Sequence, residues 1–441
     1  MTFVWTGIRR GMKTNHSRGA ARGMLLAAAV FVLGVGPALG QPVQKYDRLT
    51  IVAQRAELKI GARVVGILPR GETFVVQEVK DGWYWVSESD WRGWIRASEA
   101  APTDLAIQCF SEAIRQKPTA TDYGIRGRLR STKGQTRLAI ADFSEAIRLD
   151  PSQAAIYKER GLEYYLLRQF DKAIADYSQA ARLDPNNPAY LALRANAYRD
   201  QGDGQQAIAD YSALIRLRPD DRHAHEERAG LWAANREYDR AIADYDEAIR
   251  LDPSGVFIVR AWVNRAGARL AKGDKERAMT DFDEAVRLSA DDPWARDCVR
   301  GCRAVAWLDL ERYGDVIEDL EQAIRLSPRQ SGFHAILAWI RATCSDARYR
   351  DGAKAVVNAT KAIELNRYPS ADRAAILAAA CAEAGEFDRA VQSQKKAIEL
   401  APPNEKKRLD GALELFEQSA PYRQRHRDDW RPGFSFDLFF Q

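Results

Sequence analysis

The side chains that could do chemistry form two close-set pairs. Cys298 and Cys302 stand four residues apart, which puts both thiols on one face of a helix, where they could grip a metal ion or react together. Neither a His nor a further Cys stands near enough to complete a ligand set, and Cys109, Cys344 and Cys381 are scattered. An odd number of dispersed cysteines is not a disulfide framework, so all five read as packing residues. His223 and His225 are the closest histidines. Two apart on a helix they face different ways without a metal partner, so they read as surface residues. The chain contains no glycine-rich phosphate loop, nucleophile elbow, zinc-protease helix or cysteine quartet. It reads as non-catalytic, without cofactor or metal.

A second kind of chemistry recurs at a fixed interval. Arg126 and Asp142, Arg160 and Asp176, Arg194 and Asp210, Arg228 and Asp244, Arg265 and Asp281, and Arg303 and Asp319 are each sixteen residues apart. Where Leu377 replaces the Arg, Ser393 replaces the Asp, and only the stretch around Arg341, with Asn358, breaks step. Charges that come and go together imply a ladder of structural ion pairs rather than a row of ligand-binding arginines.

The elements that must hold this ladder are repeats. RLAIADFSEAIRLDP ends at Pro151, and near-copies end at Pro185, Pro219 and Pro253, a period of 34 residues; looser copies run on to Pro402. Such a period predicts stacked helical hairpins. Small residues mark where the first helix of each hairpin meets the second: Gly127, Gly161, Ala195, Ala229, Ala266 and Ala304. Bulky Phe143, Tyr177, Tyr211, Tyr245 and Phe282 lie opposite, wedging the crossing. Glycines at 202, 273 and 385 are expected to end helices, and each closing proline stops one. The alternation of small, aromatic and proline residues resembles the tetratricopeptide repeat over about two thirds of the chain. The resemblance implies a mainly α fold, a right-handed α-helical solenoid, that binds proteins or peptides. In that family the inward positions of the first helices are Arg128, Lys158, Leu162, Tyr165, Asn196, Arg199, His223, Glu226, Arg260, Val263 and Leu270, the candidate binding groove. Chaperone-binding members use a Lys and Asn clamp for a terminal carboxylate; here Leu162 stands where the clamp after Lys158 wants Asn, which argues against that ligand.

Residues 41–101 follow a different rhythm. Short alternating runs, Leu49 to Val52, Arg63 to Leu68, Thr73 to Val79, Trp83 to Val86 and Gly93 to Ile95, are separated by turn signals that include Ser89–Asp90. These predict a small all-β barrel. The order ELKIGARVVGILPRGETFVV through RGWIRASEA resembles the bacterial Src-homology-3-like domain, which implies docking of cell-wall peptide or other proteins. Trp83, Trp85, Trp91 and Trp94 are the candidate binding rings. Trp83 and Trp85 alternate with Tyr84 and Val86, so one of these two pairs faces the core.

The flanks complete the organisation. Residues 1–40 carry five basic side chains and no acid ahead of the apolar run Met24 to Gly36, with small Ala38 and Gly40 before Gln41, an export signal by pattern that predicts a periplasmic or envelope protein without a membrane span after cleavage. Outside this leader the chain holds 61 basic and 61 acidic side chains, which removes the charge argument for nucleic acid. Residues 102–119 read as a half-repeat helix coupling the barrel to a solenoid at 120–404. A capping helix follows at 405–424, with Leu409, Leu413 and Phe416 on one face, and a tail at 425–441 in which Phe434, Phe436, Leu438 and Phe440 alternate. The last quarter resembles a C-terminal repeat module of exported bacterial repeat proteins, which implies no activity. The expectation is an exported scaffold that binds proteins through its groove, with the barrel localising it; the rival is a cell-wall binder led by the barrel.

Overall fold

The structure is a computed structural model that describes residues 43–88, 91–253, 258–290 and 293–423. The leader, the Ser89–Asp90 turn and the tail at 425–441 lie outside the described residues. The chain divides into two compact units that meet in sequence at Pro219 and Asp220.

The first unit opens with seven strands: β1 (Arg48–Ile51), β2 (Arg55–Ile60), β3 (Arg63–Pro69), β4 (Thr73–Lys80), β5 (Trp83–Glu88), β6 (Trp91–Arg96) and β7 (Ala100–Pro102). They pair antiparallel in the order β3-β2-β6-β5-β4-β1-β7. Leu49, Ile51, Leu58, Phe74, Val76, Tyr84, Val86 and Ile95 fill the interior. Two strands lie outside the sequence expectation. β2 alternates in burial as its RAELKI pattern allows, and β7 is a three-residue run of small residues without a strand signature, recruited by β1.

Helix α1 (Thr103–Gln116) follows directly, then the hairpins α2 (Ala120–Thr132) with α3 (Thr136–Leu149), α4 (Ala154–Leu166) with α5 (Phe170–Leu183), and α6 (Pro188–Gln201) with α7 (Gly204–Leu217). One arginine fastens the barrel to the first hairpin. Arg70 donates from Nε to Asp122 Oδ1 (2.9 Å) and from Nη1 to the Val52 carbonyl (2.8 Å), and its guanidinium lies 4.7 Å from the Phe110 ring centre. Val52, Ala101, Ala106, Phe110, Ile125 and Leu129 form one apolar cluster beneath it. Gly71, at φ 85°, leaves room for Ile125, whose side chain would meet a Cβ there at 2.6 Å.

The second unit contains α8 (Arg222–Ala234) with α9 (Tyr238–Leu251), α10 (Ile258–Lys272) with α11 (Lys275–Leu288), α12 (Pro293–Asp309) with α13 (Tyr313–Leu326), α14 (Ser331–Thr343) with α15 (Gly352–Glu364), and α16 (Ala371–Glu383) with α17 (Phe387–Leu400). The last helix, α18 (Pro403–Glu417), starts two residues before the expected cap and ends seven before its expected limit. Its Leu409, Ala412 and Phe416 join the core formed by α14 to α17.

The hairpins close as the small-against-aromatic pattern requires. Phe143, Tyr177, Tyr211, Tyr245 and Phe282 are all buried. A Cβ at Gly127 would come within 2.6 Å of the Phe143 ring, and one at Gly161 within 2.7 Å of Tyr177. Gly202, Gly273 and Gly385 end helices in the left-handed region, but Arg168 (φ 58°), Arg236 (φ 63°) and Glu311 (φ 57°) fill equivalent turns. A left-handed residue follows every first helix except α14, whether or not a glycine is there to make it easy.

Candidate functional site

The ladder runs through all three hairpins of the first unit and the first three of the second. Arg126, Arg160 and Arg194 each present Nε and Nη2 to both carboxylate oxygens of Asp142, Asp176 and Asp210, at 2.6 to 3.0 Å. Arg228, Arg265 and Arg303 do the same with Asp244, Asp281 and Asp319, at 2.6 to 3.0 Å. The paired fork geometry is the strongest arrangement open to these groups. For Arg160 and Arg194 the hydrogen bond donated to the paired Asp raises the guanidinium pKa despite burial.

Two features of the ladder escaped the sequence reading. The third guanidinium nitrogen reaches back to the preceding second helix: Arg126 to Ser111, Arg160 to Ser144 and Arg194 to Ser178, then Arg265 to Asp246 and Arg303 to Asp283. The signal was present, because each of these acceptors stands two residues after a ladder aspartate or, for Ser111, after Cys109, which occupies that position in the half-repeat. The other feature is a second nitrogen-bearing side chain at four of the six aspartates: Arg130 on Asp142, His225 on Asp244, Arg269 on Asp281 and Arg300 on Asp319. His225 is therefore no surface residue. It is buried, with Nδ1 3.3 Å from Asp244, because it stands one turn before the ladder arginine on the same helix face. Burial pushes the Asp244 carboxyl up, but the hydrogen bonds from Arg228 and His225 outweigh it and the net pKa is lowered. Where the ladder breaks, Arg341 turns to Glu321, and Asn358 faces His334 Nδ1 at 3.1 Å.

The candidate groove residues are mostly engaged with neighbouring side chains of the repeats. In the first unit Arg128 is exposed, Lys158 pairs with Glu159 (2.9 Å), and Asn196 accepts from the Tyr211 hydroxyl (2.8 Å). Tyr165 and Arg199 both donate to Asp200, and the Tyr165 ring meets Phe170 edge-on. Leu162 packs with the Tyr177 cluster. In the second unit Glu226, expected to face a ligand, is only 3 % exposed, held between Arg222 (3.2 Å) and Arg260 (2.5 Å). Burial opposes the Arg260 charge, yet Glu226 and Glu227 raise its pKa. A carboxylate so enclosed between its own two arginines is not open to a ligand, so Glu226 is structural. His223 is exposed beside Arg222, while Val263 and Leu270 pack around Phe282.

In the barrel the alternation resolves in favour of Tyr84 and Val86 facing inward, with Trp83 and Trp85 outward. Trp94 pairs across the strands with Trp85, ring centres 5.4 Å apart, and Arg96 lies 5.6 Å from the Trp83 ring. Lys59 on β2 and Glu78 on β4 flank this row in register. Trp91 is different, for it packs against the barrel core and covers Gly66. Three of the four tryptophans thus form one outer patch.

All five cysteines are free, and burial pushes the Cys302 thiol up, away from reactivity. Among the described residues no group of three or more His, Cys, Asp or Glu could hold a metal, and no helix is long and apolar enough to cross a membrane.

Models of the tetratricopeptide repeat match residues 123–153, 154–187, 193–256, 259–292 and 375–404. Among solved structures, the protein MamA is 22% identical, covering 38% of this chain and 91% of its own, with a TM-score of 0.37. YrrB, described as a tetratricopeptide-repeat protein with an unusual peptide-binding site, is 20% identical over 42% of this chain and 95% of its own, TM-score 0.38. The C-terminal part of a repeat protein from Cytophaga hutchinsonii is 17% identical over 51% and 91%, TM-score 0.46. No curated protein matches. The chain carries tetratricopeptide repeats behind an N-terminal antiparallel β domain, and proteins built on this repeat generally serve as protein-interaction scaffolds.

Proposed function

We propose that this protein is a non-enzymatic exported adaptor that binds other proteins through the first-helix faces of its repeats, with a Src-homology-3-like barrel as a localising module in the periplasm or envelope. The observation that carries the reading is the ladder. Six arginine forks fix the two helices of each hairpin, and the third nitrogen of five of these arginines ties its hairpin to the preceding helix, so within each unit side chains at equivalent positions of successive first helices stand at set spacings, as recognition of an extended chain requires. On the first unit that face offers Arg128, Tyr165 and Asn196, a cation, a ring and an amide. The outward Trp83, Trp85 and Trp94 give the barrel a contact patch of its own.

The test is a pull-down from an envelope extract with residues 41–441, run beside Arg128→Ala/Tyr165→Ala/Asn196→Ala and beside Trp85→Ala/Trp94→Ala. The groove reading expects the triple variant to lose a protein that the wild type retains. Retention of the same proteins by the triple variant, together with their loss from the tryptophan variant, would move the function to the barrel. Sequencing of the mature N-terminus from a periplasmic fraction tests export, with Gln41 as the expected first residue.

A further inference from the structure

Beyond α18 the chain turns back on its own repeats. Ser419 takes a left-handed backbone (φ 54°) and donates to the Phe416 carbonyl at 3.0 Å, and Ala420 donates to Leu415 at 2.9 Å. Past this reversal Pro421 fixes its own φ and cannot continue a helix. Residues 420–423 belong to no helix or strand, yet the two side chains at their end are placed. The Tyr422 ring centre lies 5.7 Å from that of Trp339, which is 1 % exposed. Arg423 reaches the Ala342 carbonyl from Nη1 (3.4 Å) and Glu383 Oε2 from Nη2 (2.5 Å).

The contacted residues occupy telling positions. Counted from the small residue at the hairpin crossing, Ala338 in α14, Trp339 stands where α4 and α6 carry Leu162 and Asn196, and Ala342 where they carry Tyr165 and Arg199. Glu383 is the last residue of α16, the next first helix. The chain's own segment therefore lies on the same class of face that the adaptor reading assigns to protein ligands. Small Ala342, Ala379 and Ala382 beside Trp339 leave room for a ring, and Tyr422 packs against this cluster. The Ala342 carbonyl is in the last turn of α14, where helix carbonyls lack their own donors.

We propose that the α14 and α16 face is a recognition site for an extended segment bearing an aromatic residue followed by arginine, and that Tyr422–Arg423 is a built-in occupant which a partner of that chemistry replaces. The inference rests on the reading that first-helix faces bind proteins, and it adds the specificity and the latch. Replacement is possible because Glu383 does not depend on Arg423: Arg350 Nε holds its other oxygen at 3.2 Å, so release leaves no unpaired buried carboxylate. The Arg423 side chain, 32 % exposed, returns readily to water. A ring against Trp339 supplies apolar contact, and a guanidinium on Glu383 supplies charge and direction.

The probe is a fluorescein-labelled peptide with the sequence of residues 418–425, titrated by anisotropy into the full chain and into the full chain carrying Tyr422→Ala/Arg423→Ala. The open variant should bind at least about tenfold tighter than the wild type, since the latch no longer competes. Peptides with Ala for the tyrosine or Gln for the arginine should lose that gain, a readout that leaves the protein's fold untouched. Equal affinity for both proteins overturns the proposal. So does a variant that melts lower without gaining affinity, which would make Tyr422–Arg423 a fixed cap; either failure leaves the pull-down prediction for Arg128, Tyr165 and Asn196 standing.

Discussion

Arg194 and Asp210 give the cleanest measure of what the ladder contributes, because among the described residues Asp210 has no second cation. Arg194 makes two bonds to Asp210, at 2.7 and 2.6 Å, and one to Ser178 at 3.0 Å; the two side chains are 22 % and 9 % exposed. In Arg194→Leu the carboxylate stays enclosed without a donor, at the lower end of the range for a broken buried pair, about 3 kcal/mol. In Asp210→Leu the arginine keeps Ser178 and its partly exposed head can take up water, so the loss is about 2 kcal/mol. With both replaced no charge is stranded, and the double variant should cost about 1 to 2 kcal/mol rather than the sum. Long repeat arrays do not unfold in one step, so the quantity to read is local: hydrogen exchange of the α6 and α7 amides under conditions where it reports opening free energy. Arg126→Leu is the internal control, since Asp142 retains Arg130 at 2.8 Å and should lose clearly less protection. Additive losses at Arg194 and Asp210, or an Arg126 effect as large as that of Arg194, would refute the reasoning.

Three further outcomes follow from local geometry. Gly352→Ala should cost about 3 kcal/mol or more and unsettle the α15–α16 contact in thermal melts, because the new Cβ would lie 2.6 Å from the Ala384 nitrogen and 2.7 Å from its Cα, and backbone cannot step aside. Arg236→Gly should raise the melting temperature, by relief of a left-handed residue worth about 0.5 to 1 kcal/mol after the added freedom of the unfolded chain. At Asp244 the folded pKa lies below the ordinary carboxylate value, so its stabilisation is complete above about pH 4 and is lost as pH falls through the folded value. Asp244→Asn should therefore lower α8 and α9 protection at neutral pH and flatten its decline in acid; an unchanged acid slope in the hydrogen-exchange profile counts against this.

Much of the repeat architecture was legible because the sequence states it several times over. A small residue opposite a ring, with a proline at most exits, recurs until chance is no explanation, and the sixteen-residue interval repeats with it. What escaped was of two kinds. Some features depend on what lies across from a residue rather than along from it, such as the burial of Glu226 between Arg222 and Arg260, or the choice of Trp83 and Trp85 for the outer side of the barrel. Others carry no pattern at all. Arg70 looks like one turn residue among many until Asp122 and Phe110 are set beside it, and strand β7 is made of residues that favour no strand. The turns at Arg168, Arg236 and Glu311 show the same limit, where the fold imposes a backbone that local preference resists.

The backward reach of the ladder arginines gives the chain an order of assembly. Arg126, Arg160, Arg194, Arg265 and Arg303 each bond a residue on the helix that precedes their own hairpin, never one on the helix that follows it. A chain that emerges from a ribosome or a translocation channel N-terminus first always has that acceptor out already, so each newly emerged hairpin can lock onto a finished surface without waiting for later residues. α1 acquires a purpose from this. By offering Ser111 to Arg126, the lone helix behind the barrel is the mould on which the first hairpin is cast.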